Sequence, residues 1–127
     1  MARILIVDDS QVQQIGIQRM VEKLGHETLI AEDGAKGVEV AKAELPDLVL
    51  MDVVMPNLNG FQATRTLARE ATTKHIPVIL VTTKDQDTDR MWGMRQGAKA
   101  YLTKPFSESE LSEVLERVFN SKEPPAG

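Results

Sequence analysis

The sequence contains no cysteine among its 127 residues. It can form neither a disulfide nor a thiolate metal site, which fits a reducing compartment and makes the cytoplasm the expected location. An excess of positive charge is also missing: 15 Lys and Arg stand against 19 Asp and Glu, a formal net charge of −4. With no basic footprint for nucleic acid or an anionic membrane surface, binding to either is not expected. Long apolar runs are absent as well. The first, Ile4-Leu5-Ile6-Val7, is too short for a signal peptide and is ended at once by Asp8 and Asp9. No later segment approaches the length of a membrane span, and no internal repeat or low-complexity block is visible before the tail. What is present, 42% hydrophobic and 27% charged residues, is ordinary for a globular protein and excludes a disordered or collagen-like chain. The length suits one domain, expected over residues 1–120, followed by a flexible tail over 121–127 that contains Pro124-Pro125.

The chain is punctuated by short continuous apolar runs. Leu48-Val49-Leu50-Met51 is bounded by Pro46 and Pro56 and stops on Asp52, and Ile4 to Val7 stops on Asp8 and Asp9. Such runs suit strands buried on both faces of a parallel sheet. Between them the spacing turns helical. Ile17, Met20, Val21 and Leu24 recur at i, i+3, i+4 and i+7 and are closed by Gly25. Glu27 to Ala31 reads as a second strand, and Asp33-Gly34 opens a helix carrying Val38, Ala41 and Leu45 before Pro46. Beyond Asp52 a loop through Met55 and Asn59 leads to a helix with Gly60, Ala63, Thr64 and Leu67 on one side. Ile76 to Val81 is a fourth strand ending in Thr82 and Thr83, with Pro77 tolerated at its beginning. A helix that starts among Asp85, Asp87 and Asp89 closes at Gly97, and Ala98 to Leu102 forms a fifth strand leading into Thr103-Lys104-Pro105. Ser107-Glu108-Ser109-Glu110 is a capping box for a last helix bearing Leu111, Val114, Leu115, Val118 and Phe119. Five strands alternating with five helices predict an α/β three-layer sandwich, a flavodoxin-like (βα)5 fold with a parallel sheet in the order 2-1-3-4-5.

That order brings Asp8, Asp9 and Asp52 to one edge of the crevice at the carboxyl ends of neighbouring strands, where ligands bind in open α/β sheets. Three carboxylates repel one another unless a cation sits among them. All-oxygen ligation suits Mg²⁺, and the fifth strand delivers Lys104 as a point charge. With the Thr82 hydroxyl, the cluster could hold an anion, and a phosphoryl group is the obvious one. Each piece has a plainer reading. Asp52 could turn the chain, Asp8 or Asp9 could cap a helix, Thr82 could be a β-branched strand residue, and Lys104 could be a surface lysine. The acids at 85, 87 and 89 read as a solvated helix start rather than a second metal site.

The segments Val7-Asp8-Asp9-Ser10, Leu50-Met51-Asp52-Val53-Val54-Met55-Pro56, Gly60, Val81-Thr82, Gly97-Ala98, Tyr101 and Lys104-Pro105-Phe106 resemble the receiver domains of two-component response regulators. The likeness spans nearly the whole chain. It implies a stand-alone regulator and not an enzyme, beyond self-catalysed phosphotransfer and autodephosphorylation. By this resemblance Asp52 is the phosphoacceptor that attacks a phosphohistidine on a sensor histidine kinase or its phosphotransfer domain. Asp9, Asp52 and the Val54 backbone carbonyl would ligate Mg²⁺, for which Mn²⁺ could substitute, and Asp8 would hold it through water. Lys104 would pair with the acyl phosphate, Thr82 and Thr83 would meet the phosphoryl oxygens, and Tyr101 would follow when Thr82 turns inward. The Lys104-Pro105 peptide is expected to be cis.

Thr83 stands where many receivers carry Ala or Gly, so the entrance to the phosphate is expected to be narrower than usual. Val54 and Lys84 occupy positions that tune access of water. Trp92 is either a partner contact or partial core packing beside Met91 and Met94, which are themselves expected in the core.

A narrower likeness, through Met1 to Ser10, Asn59 to Arg65, Val81 to Gln86, Trp92-Gly93 and Arg95 to Ala98, is to PilH-type regulators. These are single-domain receivers of the chemotaxis-like system controlling type IV pili and twitching motility. Output would then pass through contacts with a downstream protein, from a monomer or weak dimer. The alternatives are a phosphate sink, a flagellar-type chemotaxis regulator, an aspartate-nucleophile phosphatase and a flavin electron carrier. The phosphatase would usually carry a second acid where Val54 stands, and the flavin protein a cradle of Gly, Ser and Thr in place of the acids.

Overall fold

Alternate residues of each apolar run point to opposite faces of one sheet, and helices cover both faces. The computed structural model describes residues 1–55 and 58–121. Its elements are β1 (Arg3–Val7), α1 (Gln11–Lys23), β2 (Glu27–Ala31), α2 (Gly34–Glu44), β3 (Leu48–Met51), α3 (Gly60–Arg69), β4 (Val78–Thr82), α4 (Asp87–Arg95), β5 (Ala100–Thr103) and α5 (Glu108–Asn120). The strands are parallel in the order β2-β1-β3-β4-β5, as the sequence predicts. Leu5, Val7, Val49, Met51 and Leu80 pack with Val38 and Ala41 of α2 and Ala63 and Leu67 of α3. On the other face Ile4, Ile6, Leu50, Ile79 and Leu102 meet Ile17 and Val21 of α1 and Leu111, Leu115 and Val118 of α5. Because both faces are covered, β1, β3 and β4 carry almost no polar residue until they end. Among the described residues no helix is long and apolar enough to cross a membrane.

Several boundaries differ from the sequence reading, each for a local reason. Leu45, expected on the buried side of α2, is its C-cap at φ 47° and is 50% exposed. The following Pro46 disfavours the right-handed helical conformation there, so the chain leaves the helix at Leu45. β4 begins at Val78 rather than Ile76, and β5 at Ala100 rather than Ala98. At the latter junction Ala98 N–H still donates to the Gly93 carbonyl of α4, and strand pairing starts with Lys99 N–H donating to the Val78 carbonyl. Met91 and Met94 are not in the core but 57% and 47% exposed, and Trp92 is 50% exposed. Gly93 is the buried residue of α4. Its bare backbone rests against Leu80, Phe61 and Tyr101, so the long side chains on either side are left in solvent. The tail expected at 121–127 lies outside the described residues except for Ser121, which caps α5 by donating its N–H to the Arg117 carbonyl.

Candidate functional site

Strand register assembles the acids. Val7 of β1 is paired with Met51 of β3, so the next residues, Asp8 and Asp52, leave the sheet side by side. The ladder continues one step past the strands, with Asp52 N–H donating to the Val7 carbonyl (2.9 Å) and Asp8 N–H to the Ala31 carbonyl (3.1 Å). Asp8 is 1% exposed and Asp52 9%, while Asp9 is exposed. One carboxylate oxygen from each of the three lies within 4.8 Å of the others, the only such cluster among the described residues.

The alternative that Asp8 or Asp9 caps α1 is not what the structure shows. Ser10 is the N-cap and accepts from Gln13 N–H, which leaves both acids free of that task. Asp8 Oδ1 instead accepts from Ser10 N–H (2.9 Å), and Gln14 Nε2 donates to the Asp8 carbonyl (2.6 Å). The capping box Asn59/Gln62 similarly starts α3, a signal legible in the sequence but not used in reading it.

β4 and β5 supply the opposite wall. Thr82 is paired with Thr103, and Lys104 N–H donates to the Thr82 carbonyl (2.8 Å), so Lys104 emerges beside Thr82. Its Nζ lies 2.9 Å from Asp8 Oδ2 and 3.8 Å from Asp52 Oδ2. The Lys104-Pro105 peptide is cis. Burial pushes the Asp52 carboxyl above the usual range. Lys104 opposes that rise, Asp8 reinforces it, and the N–H groups of Val53 and Val54 oppose it. Asp52 Oδ1 accepts from Val53 N–H at 2.8 Å, leaving Oδ2 as the oxygen that faces Lys104.

The donor set fits a small hard cation. It consists of oxygen alone, it is strongly anionic, and one member is open to solvent. Two oxygens bound to Mg²⁺ at about 2.1 Å lie at most about 4.2 Å apart, so only a small contraction of the cluster would bring them to bonding distance. The acids at 85, 87 and 89 are not such a centre: Asp85 and Asp87 are exposed, and Asp89 lies 3.9 Å from Lys84 Nζ.

The remaining residues singled out in the sequence differ in burial and in contacts. Val54 is 57% exposed two residues after Asp52. Thr83 is exposed and lines a groove with Lys104, Pro105, Phe106 and the Val12 side of α1. Thr82 is fully buried, and its hydroxyl accepts from Lys84 N–H (3.3 Å). Tyr101 donates its hydroxyl to the Lys84 carbonyl (2.7 Å), so Lys84 holds both side chains. Burial, with Asp89 nearby, pushes the Tyr101 phenol up to about 12, so it remains a donor at neutral pH. Arg90, which the sequence reading did not select, lies over the Tyr101 ring at 5.3 Å and donates to the Thr103 hydroxyl (2.8 Å). Trp92 lies on the exposed surface of α4 and contributes nothing to the acidic pocket.

Gly60 holds the loop after Asp52. A Cβ there would collide with the Asp52 carbonyl oxygen and lie 2.7 Å from Val53 Cα, where Gly60 N–H donates to the Val53 carbonyl at 3.0 Å. Gly60→Ala is therefore expected to lower stability by about 1–3 kcal/mol in urea denaturation, the usual cost of overpacking against backbone. Unchanged stability would show that the loop yields freely.

Residues 4–116 match the response regulator receiver domain. The chain is 58% identical over 118 residues to Protein PilH of Pseudomonas aeruginosa, covering 93% of this chain and 98% of that protein. Among solved structures it is similar to the chemotaxis protein CheY4 of Vibrio cholerae, with a TM-score of 0.87 and 30% identity over 93% of this chain and 98% of that one. It is also similar to the receiver domain of a Pseudomonas aeruginosa sensor histidine kinase, with a TM-score of 0.87 and 33% identity over 94% and 98% of the two chains. That structure has a magnesium ion coordinated in the active-site cleft.

Proposed function

Because this chain belongs to the response regulator receiver domain family, we propose that Asp52 accepts a phosphoryl group from a phosphohistidine of a sensor histidine kinase or its phosphotransfer domain. The observation that carries this reading is the convergence of Asp8, Asp9, Asp52 and Lys104 at the carboxyl ends of β1, β3 and β5. Phosphoryl transfer asks little of a protein beyond an in-line nucleophile and neutralisation of charge. The Asp52 carboxylate attacks phosphorus, the P–O bond forms as the P–N bond to the donor histidine breaks, and the imidazole leaves. Lys104 supplies positive charge where the phosphoryl oxygens arrive. Asp9, Asp52 and the Val54 carbonyl would hold Mg²⁺, or Mn²⁺ in its place, and Asp8 would act through water. When bound, the metal neutralises the charge on the transferring group.

The acyl phosphate then acts as a switch. Its oxygens accept from the Thr82 hydroxyl and draw it away from Lys84 N–H, from which its oxygen now accepts, and Thr83 flanks the entrance. Once Thr82 moves, Tyr101 exchanges its bond to the Lys84 carbonyl for the vacated space. A dianionic group that bonds Thr82 in one arrangement and not the other has the differential contact that a population shift requires. The surface so altered includes Trp92, and residues 1–120 form the receiver domain. Similarity to PilH supports a role in a chemotaxis-like pathway controlling type IV pili and twitching motility. The domain works there in the cytoplasm as a monomer or weak dimer. Its chemistry is limited to self-catalysed phosphotransfer and autodephosphorylation.

Uptake of labelled phosphate from a phosphorylated histidine phosphotransfer domain is expected with Mg²⁺ and not with excess chelator. Uptake that ignores the chelator would remove the metal from the reading. Metal binding has an independent signature. Mg²⁺ at about 100 times its dissociation constant should stabilise the fold by about 2.7 kcal/mol, measured by denaturation, and Asp9→Asn should lose most of that increment.

A further inference from the structure

The chain is acidic overall, yet one hollow is lined by three arginines. Arg65 and Arg69 of α3 and Arg95 at the end of α4 surround a concavity of about 370 Å³ together with Ala68, Gln96 and Gly97. Among the described residues none of these guanidinium groups has a carboxylate within 4 Å, whereas Arg3, Lys23, Lys36, Lys42, Lys84 and Lys104 each have at least one. A second observation comes from Gln96. It is only 9% exposed, it lines the hollow, and its side-chain amide makes no hydrogen bond among the described residues. No buried side-chain nitrogen or oxygen among the described residues is left without a partner, so the unpaired amide is the part of Gln96 that meets solvent, where it can donate to a ligand.

Backbone geometry brings the arginines together. Gly97 sits at φ 111°, and a Cβ on it would come within 2.7 Å of the Ala68 Cβ. The end of α4 therefore rests directly on α3 through two small residues, and longer side chains there would fill the floor of the hollow. The acidic site is elsewhere. α3 starts at Gly60 beside Asp52 and runs away from it, placing Arg69 roughly 14 Å further along the helix axis.

We propose that this hollow binds a diphosphate or longer oligophosphate group. Guanidinium forks match tetrahedral oxyanions with paired N–H···O bonds and stay charged at any physiological pH. Three of them suit a polyanion better than a monoanion. The volume lies at the small-molecule end of ligand sites, which argues against an extended acidic peptide. No aromatic or large aliphatic side chain lines the hollow. It offers no platform for a nucleobase and no apolar anchor of the kind that centres a protein interface, so the phosphates themselves are what it recognises.

The test is calorimetric titration with pyrophosphate at constant ionic strength and without divalent metal, on the full chain carrying Asp52→Asn to exclude the acidic site. Binding is expected, with the amide resonances of Gln96 and Gly97 shifting in proportion. Arg69→Ala and Arg95→Ala should each weaken it roughly tenfold or more, the size of a lost charge-assisted hydrogen bond. Arg19→Ala on α1, which removes the same charge elsewhere on the surface, should leave it unchanged. ADP should bind as pyrophosphate does. The proposal is overturned if pyrophosphate does not bind, or if Arg19→Ala costs as much as Arg95→Ala. It is also overturned if a glutamate-rich peptide binds the hollow and pyrophosphate does not, since the site would then belong to an acidic protein partner.

Discussion

Asp52→Asn is expected to abolish phosphate uptake while leaving the protein folded and more stable than its parent in metal-free buffer. The two effects come from one carboxylate. The amide has no nucleophilic oxygen anion, so no acyl phosphate forms and uptake falls to background. The stability gain follows from burial. In the fold Asp52 holds its proton more tightly than the ordinary carboxylate value of 3.8, chiefly because its surroundings desolvate the charge. A carboxyl raised in the folded state makes ionisation costly there. Its unfavourable contribution is present at neutral pH and disappears as the pH falls below that ordinary value. Asn removes the cost at neutral pH and has nothing to remove in acid. The thermal midpoint of Asp52→Asn should therefore exceed that of the parent at pH 7, with the gap closing toward pH 3. A lower midpoint at pH 7 would mean that the charge is better compensated by Lys104 than its 3.8 Å separation implies.

Lys104→Ala should carry the second largest effect. Lys104 Nζ is the only side-chain cation within 4 Å of Asp8 and Asp52 among the described residues, and its side chain is only 12% exposed. Its loss leaves two nearly buried carboxylates facing each other, which should destabilise the fold by about 3–5 kcal/mol without metal, the cost of stripping one partner from a buried ion pair. Mg²⁺ should recover much of that loss. It should not recover transfer. Removing a preorganised cation from the position where phosphoryl charge develops typically lowers the rate by roughly 10²–10³-fold. Lys104→Arg separates charge from shape, because a planar fork cannot take the place of a compact ammonium between two carboxylates. Transfer by the Arg variant should stay well below that of the parent although the net charge is restored.

The frame of the molecule was legible because its strands are unbroken apolar runs that end on chemistry. Val7 to Asp8, Met51 to Asp52 and Val81 to Thr82 each mark the point where a strand buried on both faces meets the crevice. Lys104 became legible through strand order and through its place in Lys104-Pro105-Phe106, since a lysine before a turn taken alone looks like a surface lysine. The region around α4 was harder to read. Its methionines look like core residues, but the contact is made by Gly93, and a sequence does not reveal that a bare backbone seats a helix. The start of β5 was displaced for a related reason, because Ala98 still serves the end of α4 before pairing begins. The direction of the Thr82 hydroxyl depends on the Lys84 backbone, and the arginine hollow joins residues some thirty positions apart through the Ala68–Gly97 contact. Neither leaves a periodic trace.

The central claim is that Asp52, among three neighbouring acids, is the residue that carries phosphate. Phosphorylate the protein with Mg²⁺, reduce the acyl phosphate with borohydride and sequence the peptides by mass spectrometry. Homoserine should then appear at position 52, with Asp8 and Asp9 unchanged. Homoserine at position 8 or 9, or a phosphate that survives reduction on Thr82 or Thr83, would contradict the account.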